Sequence, residues 1–533
     1  MRQTAASTAM LLLLLGACHN ANEQPAASST ADVAATTVAA APVQAEKPAD
    51  EIAWRKGDVT AAFAEAADTG KLVLLYWGAE WCPPCHRLRA GLFKDPDFIA
   101  RTRDFVPVYL DGDTEGAQRW GDHFEIQGYP TIILLTADQA EITRLSGSEE
   151  PDEIDGALRA AHENQVSAAE LFQRARTAPE QLQPNEWTLL AAYGWDVDAS
   201  SLVPAEERAA LFQKLALAAP EPALRRRFAV LALADEADND APEYAPDRQT
   251  RIRSLLATLL ANPDEVKRSR WPLMYSGAAI IERAGGTPDE RKALETGLIV
   301  ALDRQFNDES LPLVDRVLLI RAELDIHRLN EGSEAAPAQA LLEKVQRRAA
   351  WADAKAETPA ERQSAIYYAA GLLIRAGDYD SAERLLSAEL ERSATPYYYM
   401  PDLADIAEHR GDKAQAIEWY RKGYETSTGP ATRVQWGLMY VDALIRLAPE
   451  DAAGIEEASS LIISELTEAD SYHQRTRVRF DDFAETLRDW SMLAEQNAGV
   501  LERLAERMHT VCAPAQSQEA ARAACLGWLS SNA

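Results

Sequence analysis

"YWGAEWCPPCHRL", residues Tyr76–Leu88, sets two cysteines two residues apart, behind a tryptophan and ahead of a basic, helix-compatible stretch. Alone, it admits three readings: a dithiol that shuttles electrons, half of a metal site, or a structural pair. Its surroundings narrow the choice. Leu72–Trp77 is a continuous apolar run, as expected of a strand buried on both faces. The dithiol therefore falls at a strand-to-helix turn. Pro83 and Pro84 fit the first helical turn, where a missing N–H costs little. Leu88 and Leu92 lie on one side of that helix. Upstream, Val59–Ala67 suits a helix with Gly70 past its end. Downstream, Phe105–Leu110 and Pro130–Leu135 read as buried strands, and Glu141–Ser146 alternates like an edge strand after a turn at Ala137-Asp138. Pro151 opens a helix with Ile154, Leu158 and Ala161 on one face.

The whole chain has 533 residues, 47% of them apolar, so two or more packed domains are expected. Lys and Arg number 54 against 84 Asp and Glu, a net charge of −30, which argues against nucleic acid or anionic lipid as the main partner. Residues 1–18 read as an export signal. Arg2 precedes the short apolar run Met10–Leu15, which is too short to span a bilayer. Leu15-Gly16-Ala17-Cys18 resembles a bacterial lipoprotein box, which implies a lipid on Cys18. An ordinary signal peptide that happens to contain a cysteine is the alternative. No Asp follows Cys18, and the resemblance then implies the outer membrane in preference to the inner. Residues 19–51, rich in Ala, Thr, Ser and Pro and without aromatics from Asn20 to Asp50, read as a disordered tether. With Cys18 lipidated, Cys82, Cys85, Cys512 and Cys525 remain, in a compartment where disulfides form.

The order strand, Cys-x-x-Cys, helix, strand, helix, strand, strand, helix over residues 52–164 resembles the thioredoxin superfamily. Trp81-Cys82-Pro83-Pro84-Cys85 and Gly128-Tyr129-Pro130-Thr131 carry the resemblance. It looks like thioredoxin-like domains of the kind at the C-terminus of the thiol:disulfide interchange protein DsbD. The resemblance implies an α/β thioredoxin fold and a catalytic pair. Cys82, at the helix mouth and nearer solvent, is the nucleophile, since helix N-termini stabilise the attacking thiolate. Cys85, one turn inward, resolves the mixed disulfide. It further implies a cis Pro130 against the dithiol, with the backbone of Tyr129 pairing with an incoming substrate strand. Trp81 and Trp77 supply apolar walls, or Trp77 is simply core. His86, Arg87 and Arg89 add positive character or are solvated. The customary buried acid is missing, because Tyr76 occupies its place, and the lysine that usually accompanies it is absent, with Pro107 preceding Asp111 on the aligned strand. Glu80 could handle protons or be an exposed loop acid. No second Cys-x-x-Cys exists, and His86 and His123 are not at ligand spacing, so neither metal nor cofactor is expected.

Residues 165–533 show helical periodicity, such as Leu313, Val317, Ile320 and Leu324. Breaks fall at Pro220, Pro263, Gly285-Gly286, Pro312, Pro359, Pro396 and Pro430, which suggests a long all-α solenoid. "AGDYDSAERLL" from Ala376 and "RGDKAQAIEWY" from Arg410 place Gly377 over Gly411 and Ala382 over Ala416, both offsets being the tetratricopeptide period. These segments resemble tetratricopeptide repeats, and a weaker third unit starts at Trp436 with Met439, Tyr440 and Ala443 at packing positions. Tyr397-Tyr398-Tyr399 is either a peptide-binding patch or inter-repeat packing. Cys512 and Cys525 flank a proline-containing turn between the last two helices and suit a structural disulfide; a relay to Cys82 and a pair of buried thiols are the alternatives.

Two functions fit. One is a periplasmic, lipid-anchored thiol–disulfide oxidoreductase that reduces disulfides in client proteins docked by the helical domain. It would be fed by a membrane electron donor of the DsbD type. The other is a tetratricopeptide-type scaffold for envelope proteins, with the thioredoxin fold as a docking module.

Overall fold

The computed structural model describes residues 51–114, 116–126, 128–195, 202–238, 243–332, 335–467, 471–515 and 519–529. The export signal, Cys18 and the tether up to residue 50 lie outside the described residues.

Five strands form one mixed sheet: β1 (Arg55–Lys56), β2 (Leu72–Gly78), β3 (Phe105–Asp111), β4 (Thr131–Leu135) and β5 (Glu141–Leu145), in the order β1-β3-β2-β4-β5. β1 and β2 run parallel to β3, while β4 is antiparallel to β2 and to β5. β2 lies at the centre with every residue buried, which is why it reads as an unbroken apolar run. Five helices accompany the sheet: α1 (Val59–Thr69), α2 (Pro83–Ala90), α3 (Pro96–Arg101), α4 (Ala117–His123) and α5 (Pro151–Glu163). Asp58 caps α1 by accepting the Ala61 N–H, and Gly70, at φ 71°, closes it.

Three details differ from expectation. β1 has two residues and no readable period. α2 stops at Ala90, so Leu88 is buried, whereas Leu92 falls in the following 3₁₀ turn and is half-buried. β5 stands at the edge of the sheet, yet Ile142–Leu145 are all buried. The later chain covers it: the Gly194 N–H donates to Arg144 O at 2.8 Å, and the Tyr193 hydroxyl to Glu141 Oε1 at 3.0 Å. Apolar packing likewise continues past residue 164, with Ile142, Leu145, Ile154 and Leu158 in one cluster with Leu171, Phe172, Trp187 and Phe212.

Beyond Leu145 the described residues contain no strand. Several prolines read as breaks turn out to be starts: Pro263, Pro359 and Pro430 each open a helix. The periodic stretch from Leu313 is split into helices Leu313–Leu318 and Arg321–Glu331, but Val317, Ile320 and Leu324 still share one core. The 34-residue repeat is a geometric one. Gly377 and Gly411 have φ 75° and 76°, and each closes a helix. Asp378 and Asp412 follow as N-caps, accepting the Ser381 and Gln415 N–H groups. Ala382 and Ala416 are fully buried. In the helix Pro430–Leu447 the buried face is carried by Val434, Gly437, Val441, Ala443 and Leu444, while Met439 and Tyr440 are only half-buried.

Asp402, in the helix Met400–His409, lines a cavity with Tyr275, Tyr367 and Tyr368. Burial, with Asp405 adding to it, raises its carboxyl from 3.8 to about 7. The folded state thus holds this proton more tightly than the unfolded chain, and the stability it lends below pH 4 is lost as pH rises through 7. Asp402→Asn should therefore be more stable than the parent by about 1–2 kcal/mol at pH 8 and not at pH 4, measured by urea unfolding.

Cys512 and Cys525 form a disulfide across 13 residues, with Cα atoms 5.8 Å apart and both side chains fully buried. Cys512 lies inside the helix Glu495–Ala515, which runs through Pro514, so this proline belongs to the helix and not to a turn. Replacing both cysteines by alanine should cost about 3 kcal/mol of stability, the loop-closure entropy of a ring this size, read as a lowered urea midpoint.

Candidate redox site

β2 delivers the chain to the turn Ala79–Trp81, and Cys82 becomes the N-cap of α2. Its φ and ψ of −77° and 111° turn the sulfur back over the first helical turn, where Sγ accepts the Cys85 N–H at 3.2 Å. Cys82 and Cys85 are joined as a disulfide, with Cα atoms 5.2 Å apart. On reduction the same N–H and the helix dipole would stabilise a thiolate at Cys82. The Tyr129–Pro130 bond is cis, and Pro130 is buried just before β4.

Cys82, expected to be the cysteine nearer solvent, is itself covered. It is 1% exposed and Cys85 0%. The helical region covers them. Helix Pro359–Arg375 lies on α2, and Gln363 Nε2 donates to the carbonyl of Trp81 at 3.4 Å. Trp81 stacks on Tyr398 at 5.6 Å and meets Trp436 and Tyr129 edge-on at 5.4 and 5.3 Å. Its Nε1–H donates to Asp113 Oδ2 at 2.8 Å. Asp113 also accepts from Thr432, the backbone N–H at 2.9 Å and the hydroxyl at 2.6 Å. Burial raises the Asp113 carboxyl even against these hydrogen bonds. Over Tyr129, where a client strand was expected, the Arg475 guanidinium sits 4.3 Å from the ring. The space left among Trp81, Tyr129, Thr432 and Arg475 is about 10 Å³, room for one water at most. Larger cavities, of about 700, 520 and 670 Å³, are lined by residues away from the dithiol.

The expected positive fringe is largely spent. Burial lowers the pKa of His86, whose Nε2 contacts Glu80 O at 2.6 Å. Arg87 is neither solvated nor free: it pairs with Asp315 at 2.5 and 2.7 Å. Arg89 donates to Glu80 at 2.7 Å and to the Tyr109 hydroxyl at 2.7 Å. Burial disfavours the Glu80 carboxylate, but Arg89 outweighs it and holds the group below the usual range, so it makes a poor proton acceptor. Tyr76, in place of the customary acid, is buried against Trp54, Phe93 and Tyr109, and burial pushes its phenol up. Trp77 is core: it stacks on Tyr129 at 5.6 Å, and a Cβ on Gly121 would come within 2.8 Å of its ring.

Tyr397 and Tyr399 are buried, and the Tyr399 hydroxyl donates to Gln363 Oε1 at 3.0 Å, so the tyrosine run packs the seam with the dithiol domain. Asp113, Gln363, Thr432 and Arg475 were not singled out from sequence. Asp113 and Thr432 are 319 residues apart, and no local pattern links them.

Residues 59–162 match the family model of a thioredoxin-like domain. Among curated proteins, the chain is similar to "Thioredoxin H4" of Arabidopsis thaliana, 26% identical over 93 residues that make up 17% of this chain and 74% of that protein. It is also similar to "Thioredoxin H-type" of Oryza sativa subsp. indica, 26% identical over 98 residues, 18% of this chain and 75% of the relative. Sheet order, the dithiol at the mouth of α2 and these matches agree on one description: a thioredoxin-like domain fused to a long, mostly helical C-terminal region.

Proposed function

We propose that the protein is a thiol–disulfide oxidoreductase of the bacterial envelope, anchored by lipid on Cys18, that reduces disulfides in client proteins. The observation that carries this is Cys82 capping α2 directly after the central strand, with the Cys85 N–H on its sulfur. From the reduced form, the Cys82 thiolate attacks one client sulfur, forming a mixed disulfide and releasing the other client sulfur as a thiolate. Cys85, deprotonated, then attacks Cys82 Sγ, the client leaves as a dithiol, and the Cys82–Cys85 bond closes. Two electrons and two protons pass to the client. A dithiol donor, of the DsbD type in this proposal, restores them. No helix among the described residues is long and apolar enough to cross a membrane, so that donor would be a separate protein.

Equilibrating the protein in thiol–disulfide buffers and following the Cys82–Cys85 peptide by mass spectrometry tests the reading. A potential near that of thioredoxin, about −270 mV, supports the reductive direction, and one near −120 mV reverses it. A pair that does not cycle at all leaves the scaffold reading. That second reading has its own support, the near-complete burial of Cys82.

A further inference from the structure

Exchange requires a client sulfur to approach Cys82 along the S–S axis, and the described conformation leaves no room for one. Three helices close the approach: Pro359–Arg375 on α2, Pro430–Leu447 on Trp81 and Asp113, and Gln474–Ser491 on Tyr129. Polar ties cross the seam at several points, among them Gln363 to the Trp81 carbonyl and Arg87 to Asp315, and one cluster of them stands beside the dithiol. Asp113, in the loop after β3, gathers donors from both sides: Trp81 Nε1–H beside the dithiol, and Thr432 from the helical region. Gly429 allows the approach. Its φ is 89°, and a Cβ there would stand 2.5 Å from Asp113. Over Tyr129, by contrast, Arg475 Nη1 is buried without a hydrogen-bond partner. Such a group regains water on opening, which offsets part of the cost of parting the seam beside Tyr129.

We propose that these three helices form an autoinhibitory cover over the Cys82–Cys85 pair, latched by the Trp81–Asp113–Thr432 hydrogen bonds, and that exchange with protein disulfides proceeds only from an open form. The inference rests on the exchange reading above but is tested apart from it.

The test uses the full chain and dithiothreitol as probe. The rate of reduction of the Cys82–Cys85 bond is followed by quenched alkylation and mass spectrometry, in the parent and in Thr432→Val, Asp113→Asn and Gly429→Val. Circular dichroism and the intact Cys512–Cys525 bond report that each variant is folded. The parent should react far more slowly than the urea-unfolded chain, and each folded variant roughly tenfold faster than the parent, the effect of losing about one hydrogen bond from the latch. A parent as reactive as the unfolded chain, or folded variants no faster than the parent, would overturn the proposal. If the variants open but none reduces the disulfides of insulin while its own pair cycles, the cover stands and the exchange reading fails.

Discussion

Replacing Asp315 with alanine should lower the unfolding free energy by about 3–5 kcal/mol, the largest stability loss expected of any single substitution considered. Asp315 is fully buried in the helical region and receives two arginines. Arg87 comes from α2, and Arg270 donates from Nε and Nη2 to Oδ2 at 2.9 and 2.7 Å. Arg270 is also paired with Glu150, at the mouth of α5. Burial disfavours the Asp315 carboxylate, but the two guanidinium groups outweigh it and hold its pKa below the usual range. Removing the carboxylate leaves Arg87, 10% exposed at its side chain, without an ionic partner. An uncompensated buried charge costs far more than the intact pair is worth. The depressed pKa also sets a pH window: the stability Asp315 contributes is present above the unfolded carboxylate value and lost as pH falls through the folded one. Urea unfolding at pH 7 and in acid would show the gap between parent and variant narrowing in acid. A variant within about 1 kcal/mol of the parent at pH 7 would mean that water reaches this network.

The second large effect is chemical. Cys82→Ser should abolish client reduction, whereas Cys85→Ser should accumulate a mixed disulfide with the client. The pair of outcomes follows from position. Cys82 caps α2 and carries the sulfur on which the Cys85 N–H bears. Serine is itself a favourable N-cap, so Cys82→Ser preserves the helix while removing the nucleophile. Cys85 is the inward partner, and without its thiol the mixed disulfide has no internal attacker. Non-reducing electrophoresis with a disulfide-bearing client separates the two results. Equal loss in both variants without trapped client would contradict the assigned order of attack, and full activity in Cys82→Ser would remove the dithiol from the function altogether.

What could be read from sequence was what local physics writes locally. β2 announces itself because a strand covered on both faces must be apolar throughout, and the cysteine motif marks the helix mouth that follows. The repeat was legible because its glycine and aspartate serve a turn and a cap within a few residues, and its alanine is buried in the helix that follows. The cover over Cys82 was not. Nothing near Asp113 tells that Thr432, 319 residues on, will meet it. Leu92 and Met439 misled for a smaller reason: helical period was extended past a glycine in one case and shifted around the helix in the other.

Both disulfides join cysteines close in sequence, across 3 and 13 residues, and this bears on how the chain is made. Four cysteines can pair in three ways. A polypeptide made N-terminus first presents Cys82 and Cys85 to each other long before Cys512 exists. At about 5–20 residues per second, the delay is on the order of tens of seconds. The helices that later shield the dithiol arrive in the same interval, ahead of Cys512. Each cysteine thus has its own partner as its nearest neighbour along the chain, and of the three possible pairings the one seen closes the two shortest rings.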